Sequence, residues 1–91
     1  MLNAPNDAGE TPLIIACMKG NLIIADLLID AGAEVNKALL NGNTPLHFAV
    51  WSENKFIGRK LIATNAQVDA QNENGETPLI LAAREGNNEF A

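Results

Sequence analysis

The sequence predicts an all-α fold, a solenoid in which a β-turn and an antiparallel helix pair repeat along the chain. Three observations predict it. The phrase Gly-x-Thr-Pro-Leu occurs at residues 9–13, 42–46 and 75–79, a spacing of 33 residues each time. Aligned at that spacing without gaps, residues 6–38 and 39–71 share 11 of 33 positions, and residues 6–25 and 72–91 share 11 of 20. Chance pairing at ordinary residue usage gives about one identity in 15 to 20. Residues that start and stop helices also recur at the same places in each segment. A self-similar period of about 20–50 residues marks units that cannot bury their apolar face alone and must stack on one another.

Each unit is justified in the same order. Gly9, Gly42 and Gly75 lie in Asn/Asp/Glu-rich stretches, where glycine supplies the positive φ of a tight turn. Thr11, Thr44 and Thr77 follow as helix N-caps, each hydroxyl accepting from an otherwise unpaired first-turn N–H. Pro12, Pro45 and Pro78 stand at the first helical position, where the missing N–H costs nothing. First helices are therefore expected over about 12–19, 45–52 and 78–85. Gly20 and Gly86 end two of them in the left-handed region. Glu53 stands where the second unit would carry glycine, and Asn54 is expected to take that role one residue later. Second helices follow over about 22–30 and 55–64, ended by Gly32 and by Asn65, asparagine being the next best left-handed residue. Ala33–Asn36 and Ala66–Asp69 read as short extended stretches leading into the next turn.

The chain thus divides, as one domain over 1–91, into repeat one (6–38), repeat two (39–71) and a partial repeat three (72–91), after a short lead-in ending at Pro5. Stacking is expected to bury Leu13, Ala16, Ile24, Leu28 and Ile29 against Leu46, Ala49, Ile57, Leu61 and Ile62. The second unit is expected to be the softest link. Gly58 replaces Ala25, at about 0.5–1 kcal/mol for a mid-helix glycine, and Lys60 replaces a core leucine, Leu27. The third unit only begins its second helix. The first carries Ile14, Ile15, Leu22 and Ile23, more than one buried face requires. Both points suggest a piece of a longer array, or open ends covered by self-association or by a partner.

Composition excludes several function classes. Hydrophobic residues make 47% and charged residues 19%, as in a folded soluble domain, and aromatics only 4%, so Leu, Ile, Ala and Val must build the core. The net charge of −5 disfavours nucleic acid and anionic membrane as partners. The longest apolar stretch, 22–29, is interrupted by Asp26 and is far short of a membrane span. Cys17 is the one cysteine and no Asn-x-Ser/Thr signal occurs, both in keeping with an intracellular, cytoplasmic setting. There is one His, one Cys and one Ser, with no nucleophile–base pattern, metal-ligand spacing or phosphate loop. Neither enzyme nor cofactor is expected. Cys17 aligns with Val50 and Ala83 and reads as a small core residue. The 11 acidic residues are scattered like a solvated face.

These residues together resemble the ankyrin repeat. The turn tip, the Thr-Pro-Leu-His box at Thr44–His47, the helix pair and the block Leu27–Asn36 match that family's pattern. Ile14 and Ile80 depart from it where the box has histidine. The resemblance implies a structural role for His47, hydrogen-bonded to neighbouring turns. It also implies a non-enzymatic protein–protein interaction module that binds a protein partner through turn tips and the concave groove. Carried over by position, the partner-binding residues are Asp7, Ala8, Glu10, Met18 and Lys19; Leu40, Asn41, Asn43, Trp51 and Ser52; and Glu73, Asn74, Glu76, Arg84 and Glu85. Trp51 is the anchor this set offers, since tryptophan buries a large rigid surface at binding hot spots. Leu39–Leu40 is an apolar pair at a tip where polar residues are expected, either a local packing contact or a partner patch. A partner with a basic edge and an apolar anchor fits the acidic tips. Asn36, with Leu28, Glu34 and Val35 before it, matches the spacing favoured by the asparaginyl hydroxylase of ankyrin repeats and is a candidate modification site. Two other readings compete: a targeting or regulatory segment of a larger enzyme or channel, and a designed or structural spacer array.

Overall fold

The computed structural model describes residues 2–84. Five helices occupy them: α1 (Pro12–Met18), α2 (Leu22–Asp30), α3 (Pro45–Trp51), α4 (Lys55–Ala63) and α5 (Pro78–Arg84). Among the described residues there is no strand. The helices pack pairwise. α1 lies on α2 and α3 on α4 within each unit, while α1–α3–α5 and α2–α4 stack between units. The result is two layers, an inner row of three first helices and an outer row of two second helices.

The starts of the first helices form as the Thr-Pro pair dictates. The hydroxyls of Thr11, Thr44 and Thr77 accept from the backbone N–H of Ile14, His47 and Ile80 at 3.3, 3.4 and 3.1 Å. The second helices are capped as well, by Asn21 on Ile24 N–H and by Asn54 on Phe56 and Ile57 N–H. Each asparagine immediately precedes an apolar-periodic run, which is an N-cap signal.

Helix ends follow one hydrogen-bond pattern. Gly20, Gly32 and Asn65 sit at positive φ, as expected. Asn54 does not take the left-handed role in the second unit; Glu53 does, at φ 58°. The closing bonds explain why. Gly20 N–H donates to Cys17 and Asn21 N–H to Ala16, while Glu53 N–H donates to Val50 and Asn54 N–H to Ala49. The stacking register requires the turn at position 53 whatever residue stands there, and Asn54 is already committed to capping α4.

Three further expectations are corrected. Residues 33–36 and 66–69 are not extended throughout, because the chain turns at 35–36 and again at 68–69. Leu27 is 62% exposed, so Lys60 does not replace a core leucine. Its ammonium instead bridges the outer row, 3.0 Å from Asp26 and 2.8 Å from Asp30 of α2. These hydrogen-bonded carboxylates, Asp30 first, raise its pKa. Residues 2–3 are more than a lead-in. Leu2 is partly buried against the core, as Val35 is, and Asn3 accepts from Glu34 N–H at 2.9 Å just as Asn36 accepts from Gln67 N–H at 2.7 Å.

The core is continuous from α1 to α4: Leu13, Ala16, Cys17, Ala25, Ile29, Leu46, Ala49, Ile57 and Leu61 are all buried, with Leu28 partly buried against them. Ile24 and Ile62, expected in the same layer, are 44% and 46% exposed. No described helix covers either side chain enough to bury it. Gly58 is buried on the inner face of α4, as Ala25 is on α2.

Candidate partner-binding face

Turn tips and first-helix ends place the expected residues in parallel rows. The three tips share a backbone. In each, the N–H of the first tip residue (Asn6, Leu39, Asn72) donates to the carbonyl four residues on, and the tip glycine donates back to the first residue. Asn6 and Asn72 reinforce the loop with their side-chain carbonyls, which accept from Ala8 and Glu10 N–H and from Asn74 and Glu76 N–H. Leu39 cannot do so, and Asn41 substitutes by accepting from Asn43 N–H at 3.0 Å.

The second and third tips are tied together. Glu73 N–H donates to the Asn41 carbonyl at 2.7 Å. The Asn72 amide donates to both Asn43 Oδ1 and Glu76 Oε1 at 2.9 Å. This close approach needs Gly42, at φ 86°, where an added Cβ would lie 2.8 Å from Asn72 Cα. Sequence reading missed Asn72 as the bridge, because its partner stands 29 residues away and no local pattern marks it.

His47 locks the same junction. Its Nε2 lies 2.8 Å from the Glu76 carbonyl, which can only accept, so Nε2 carries the proton. Its Nδ1 accepts from Thr44 N–H at 3.0 Å, closing a capping box. The ring is therefore the neutral Nε2–H tautomer. Burial pushes its pKa below the usual value, against the opposing pull of Glu76. Burial likewise pushes the Cys17 thiol up to about 12, so it is neither nucleophile nor ligand at neutral pH.

The rows that face outward are fewer than sequence positions alone suggest. Asp7, Leu40 and Glu73 are equivalent and all exposed, Leu40 completely. Ala8, Asn41 and Asn74 form the next row, with Asn41 half-buried. Glu10, Asn43 and Glu76 are half-buried. Glu10 holds the Asn6 amide and Asn43 holds Asn72. Glu76 holds Asn72 and Arg84, which, in that order, keep its carboxyl below the usual carboxylate range. Met18, Trp51 and Arg84 make a second exposed row at the ends of α1, α3 and α5, with Met18 39% and Trp51 37% exposed. The Trp51 ring is braced from behind, edge-on to Phe48 at 5.5 Å and tilted against His47 at 6.1 Å. Lys19 and Ser52 cap α1 and α3, the Ser52 hydroxyl donating to the Ala49 carbonyl. Glu85 lies outside the described residues, as does Gly86. The Leu39–Leu40 pair divides: Leu39 is half-buried beside Gly9, and Leu40 is free of cover.

Asn36 is exposed, but its side chain spans two units, donating to the Asn65 carbonyl at 3.2 Å and accepting from Gln67 N–H. No group of three or more His, Cys, Asp or Glu side chains that could hold a metal occurs among the described residues. No described helix is long and apolar enough to cross a membrane.

A comparison with protein-family models matches residues 1–72 to ankyrin repeats, in three copies. That match takes in the Leu2–Asn3 turn, consistent with its packing in the structure.

Proposed function

Because the chain belongs to the ankyrin repeat family, whose domains generally act as protein-interaction modules, we propose that it binds a protein partner across the exposed rows at its tips and inner helices. The observation that carries this reading is the pairing of two exposed apolar side chains on neighbouring rows. Leu40 stands fully exposed at the second tip, and Trp51 is held ready by its aromatic neighbours. A braced tryptophan loses little conformational freedom on binding, which is why such rings dominate interface energetics. Asp7 and Glu73 flank Leu40 with unburied carboxylates. The Glu76 carboxylate is already matched by Arg84. The partner is therefore expected to present an apolar side chain between basic residues.

Affinity capture with the full chain tests the reading. Proteins retained by the wild type should be lost by Trp51→Ala and by Leu40→Ala. They should be kept by Ile23→Ala, a 73% exposed isoleucine on the outer row. Each variant is first checked for an unchanged circular dichroism spectrum. An identical set of retained proteins for all four chains would remove the basis for this face.

A further inference from the structure

Asparagine stands directly before glycine twice in the chain, at Asn41–Gly42 and Asn74–Gly75, and both pairs lie at turn tips. Such a pair carries a chemistry of its own. Glycine has no Cβ to hold its backbone nitrogen away from the preceding side chain, so that nitrogen can reach the asparagine Cγ. The first tip has Ala8–Gly9 at the same place and no amide to react. In each tip the glycine N–H is bonded, Gly42 to the Leu39 carbonyl at 2.9 Å and Gly75 to the Asn72 carbonyl at 3.0 Å. The peptide plane between asparagine and glycine must therefore turn out of that bond before the nitrogen meets Cγ, which is a local opening of the tip.

The two planes are held differently. The 41–42 plane has a second bond, because its carbonyl accepts from Glu73 N–H across the seam at 2.7 Å. Asn41 Oδ1 is engaged as well, by Asn43 N–H at 3.0 Å, and Gly42 lies against the backbone of Asn72. Among the described residues the 74–75 plane has the Asn72 bond alone. Asn72 Oδ1 also braces this tip, but through the N–H groups of Asn74 and Glu76, which belong to the neighbouring planes. Asn74 is exposed, with its side chain bonded to the Glu76 carboxylate. No atom of the described residues lies within 4 Å of a would-be Cβ on Gly75.

We propose that Asn74–Gly75 is a site of spontaneous deamidation, and that the seam shields Asn41–Gly42 from the same reaction. The Gly75 nitrogen attacks Asn74 Cγ. A bond forms between them, the Cγ–Nδ2 bond breaks, and the Gly75 N–H proton leaves with the amide group as ammonia. The resulting succinimide is opened by water at either carbonyl. One opening gives aspartate, and the other gives isoaspartate, in which the chain runs through Cβ and Cγ. No atom changes oxidation state. The product places a new carboxylate between Glu73 and Glu76 and removes the amide that bonded Glu76. The third tip thus becomes more acidic as the molecule ages, while the first and second keep their charge. This chemistry stands whether or not the tips bind a partner.

The full chain is incubated at neutral pH and body temperature, sampled over time and cut with trypsin. Asn41 and Asn74 then fall in separate peptides, residues 38–55 and 61–84. The second peptide should gain the mass of O for NH at Asn74 and split into two products of equal mass. Asn41 should follow about tenfold more slowly, since its opening breaks two further hydrogen bonds. In urea sufficient to unfold the chain, the two rates should converge. Gly75→Ala should stop the reaction at Asn74 by adding the Cβ that keeps the nitrogen away. The proposal is overturned if Asn41 reacts as fast as Asn74 in the folded chain, or if the difference persists in urea. It is overturned equally if Asn74 stays intact while a free peptide of residues 70–78 is fully converted, if a single product forms, or if Gly75→Ala reacts as the wild type does.

Discussion

Ile29 and Ile62 occupy the same position of equivalent helices, and they are 6% and 46% exposed. Leu46 and Leu79 are equivalent in the same sense, at 2% and 54%. Residue type and helix position are held constant, and the difference follows the neighbour. The seam between the first two units has α4 over it, and the seam beyond α4 has no described helix over it. In a solenoid the energy of a residue therefore belongs to an interface between units rather than to the unit that carries it.

The widest expected gap lies between Leu46→Ala and Leu79→Ala. Leu46 touches both seams, and its truncation should cost about 2–5 kcal/mol in transfer and cavity terms. Leu79→Ala removes a half-solvated side chain and should cost about 1 kcal/mol or less. Urea denaturation of both variants at one pH measures this directly. Equal losses would mean that the second seam is closed in solution as firmly as the first, which would break the comparison.

Two glycines sharpen it. Gly42 and Gly75 both sit at positive φ, but only Gly42 faces backbone across the seam. Gly42→Ala should cost about 2–4 kcal/mol, the sum of a left-handed L-residue and a forced separation of the tips. Gly75→Ala pays the first term only, about 1–2 kcal/mol, since no atom of the described residues lies within 4 Å of its would-be Cβ. The Glu73 amide, bonded across the seam to Asn41, should lose its exchange protection in the first variant and keep it in the second. Protection unchanged in both would show that the tips are not coupled through Gly42.

What was legible in the sequence follows the same division. Helix starts and stops depend on residues within one turn of each other, so Thr11, Thr44, Thr77, Gly32 and Asn65 announced their roles. The structural part of His47 was legible from the box that holds it. Burial of Ile24 and Ile62 was misjudged because the period reports which residues are equivalent, not whether a neighbour is present. Lys60 was misread for a related reason: its position faces the outer row, where Leu27 is itself exposed. The candidate face was legible as a set of positions. Its division into exposed Leu40 and Trp51 and internally bonded Asn43 and Glu76 depends on side chains about one repeat apart, and no local pattern encodes it.

His47 carries the pH dependence of the first-to-second seam comparison, since only the second tip junction has an imidazole in it. Its folded pKa is lowered, so the unfolded chain binds the proton more readily. The contribution is complete above about pH 6.5, the ordinary value, and is lost as pH falls from there toward the folded pKa. Protonation would also put a hydrogen on Nδ1, where Thr44 N–H now donates. His47→Ile copies the residue of the other two boxes. It should cost about 1–3 kcal/mol at pH 7.5 by leaving the Glu76 carbonyl without its donor. It should also flatten stability between pH 7 and about 5.5 relative to the wild type. An unchanged pH profile in the variant would move the titration to another group.

The smallest effect concerns the one place where the second unit departs from its equivalent in backbone chemistry. Gly20 and Glu53 end α1 and α3 at φ 68° and 58° with the same closing bonds. A left-handed conformation costs an L-residue about 1–2 kcal/mol and costs glycine almost nothing sterically. Glycine gives back part of that through its larger unfolded-state entropy. Glu53→Gly should therefore stabilise the chain by about 1 kcal/mol, since the side chain it removes is exposed. The gain should appear as a higher urea midpoint with the slope unchanged, because the surface exposed on unfolding stays the same. A loss of stability would show that the Glu53 side chain holds the turn in a way its backbone does not reveal, and would end the equivalence of the two helix ends.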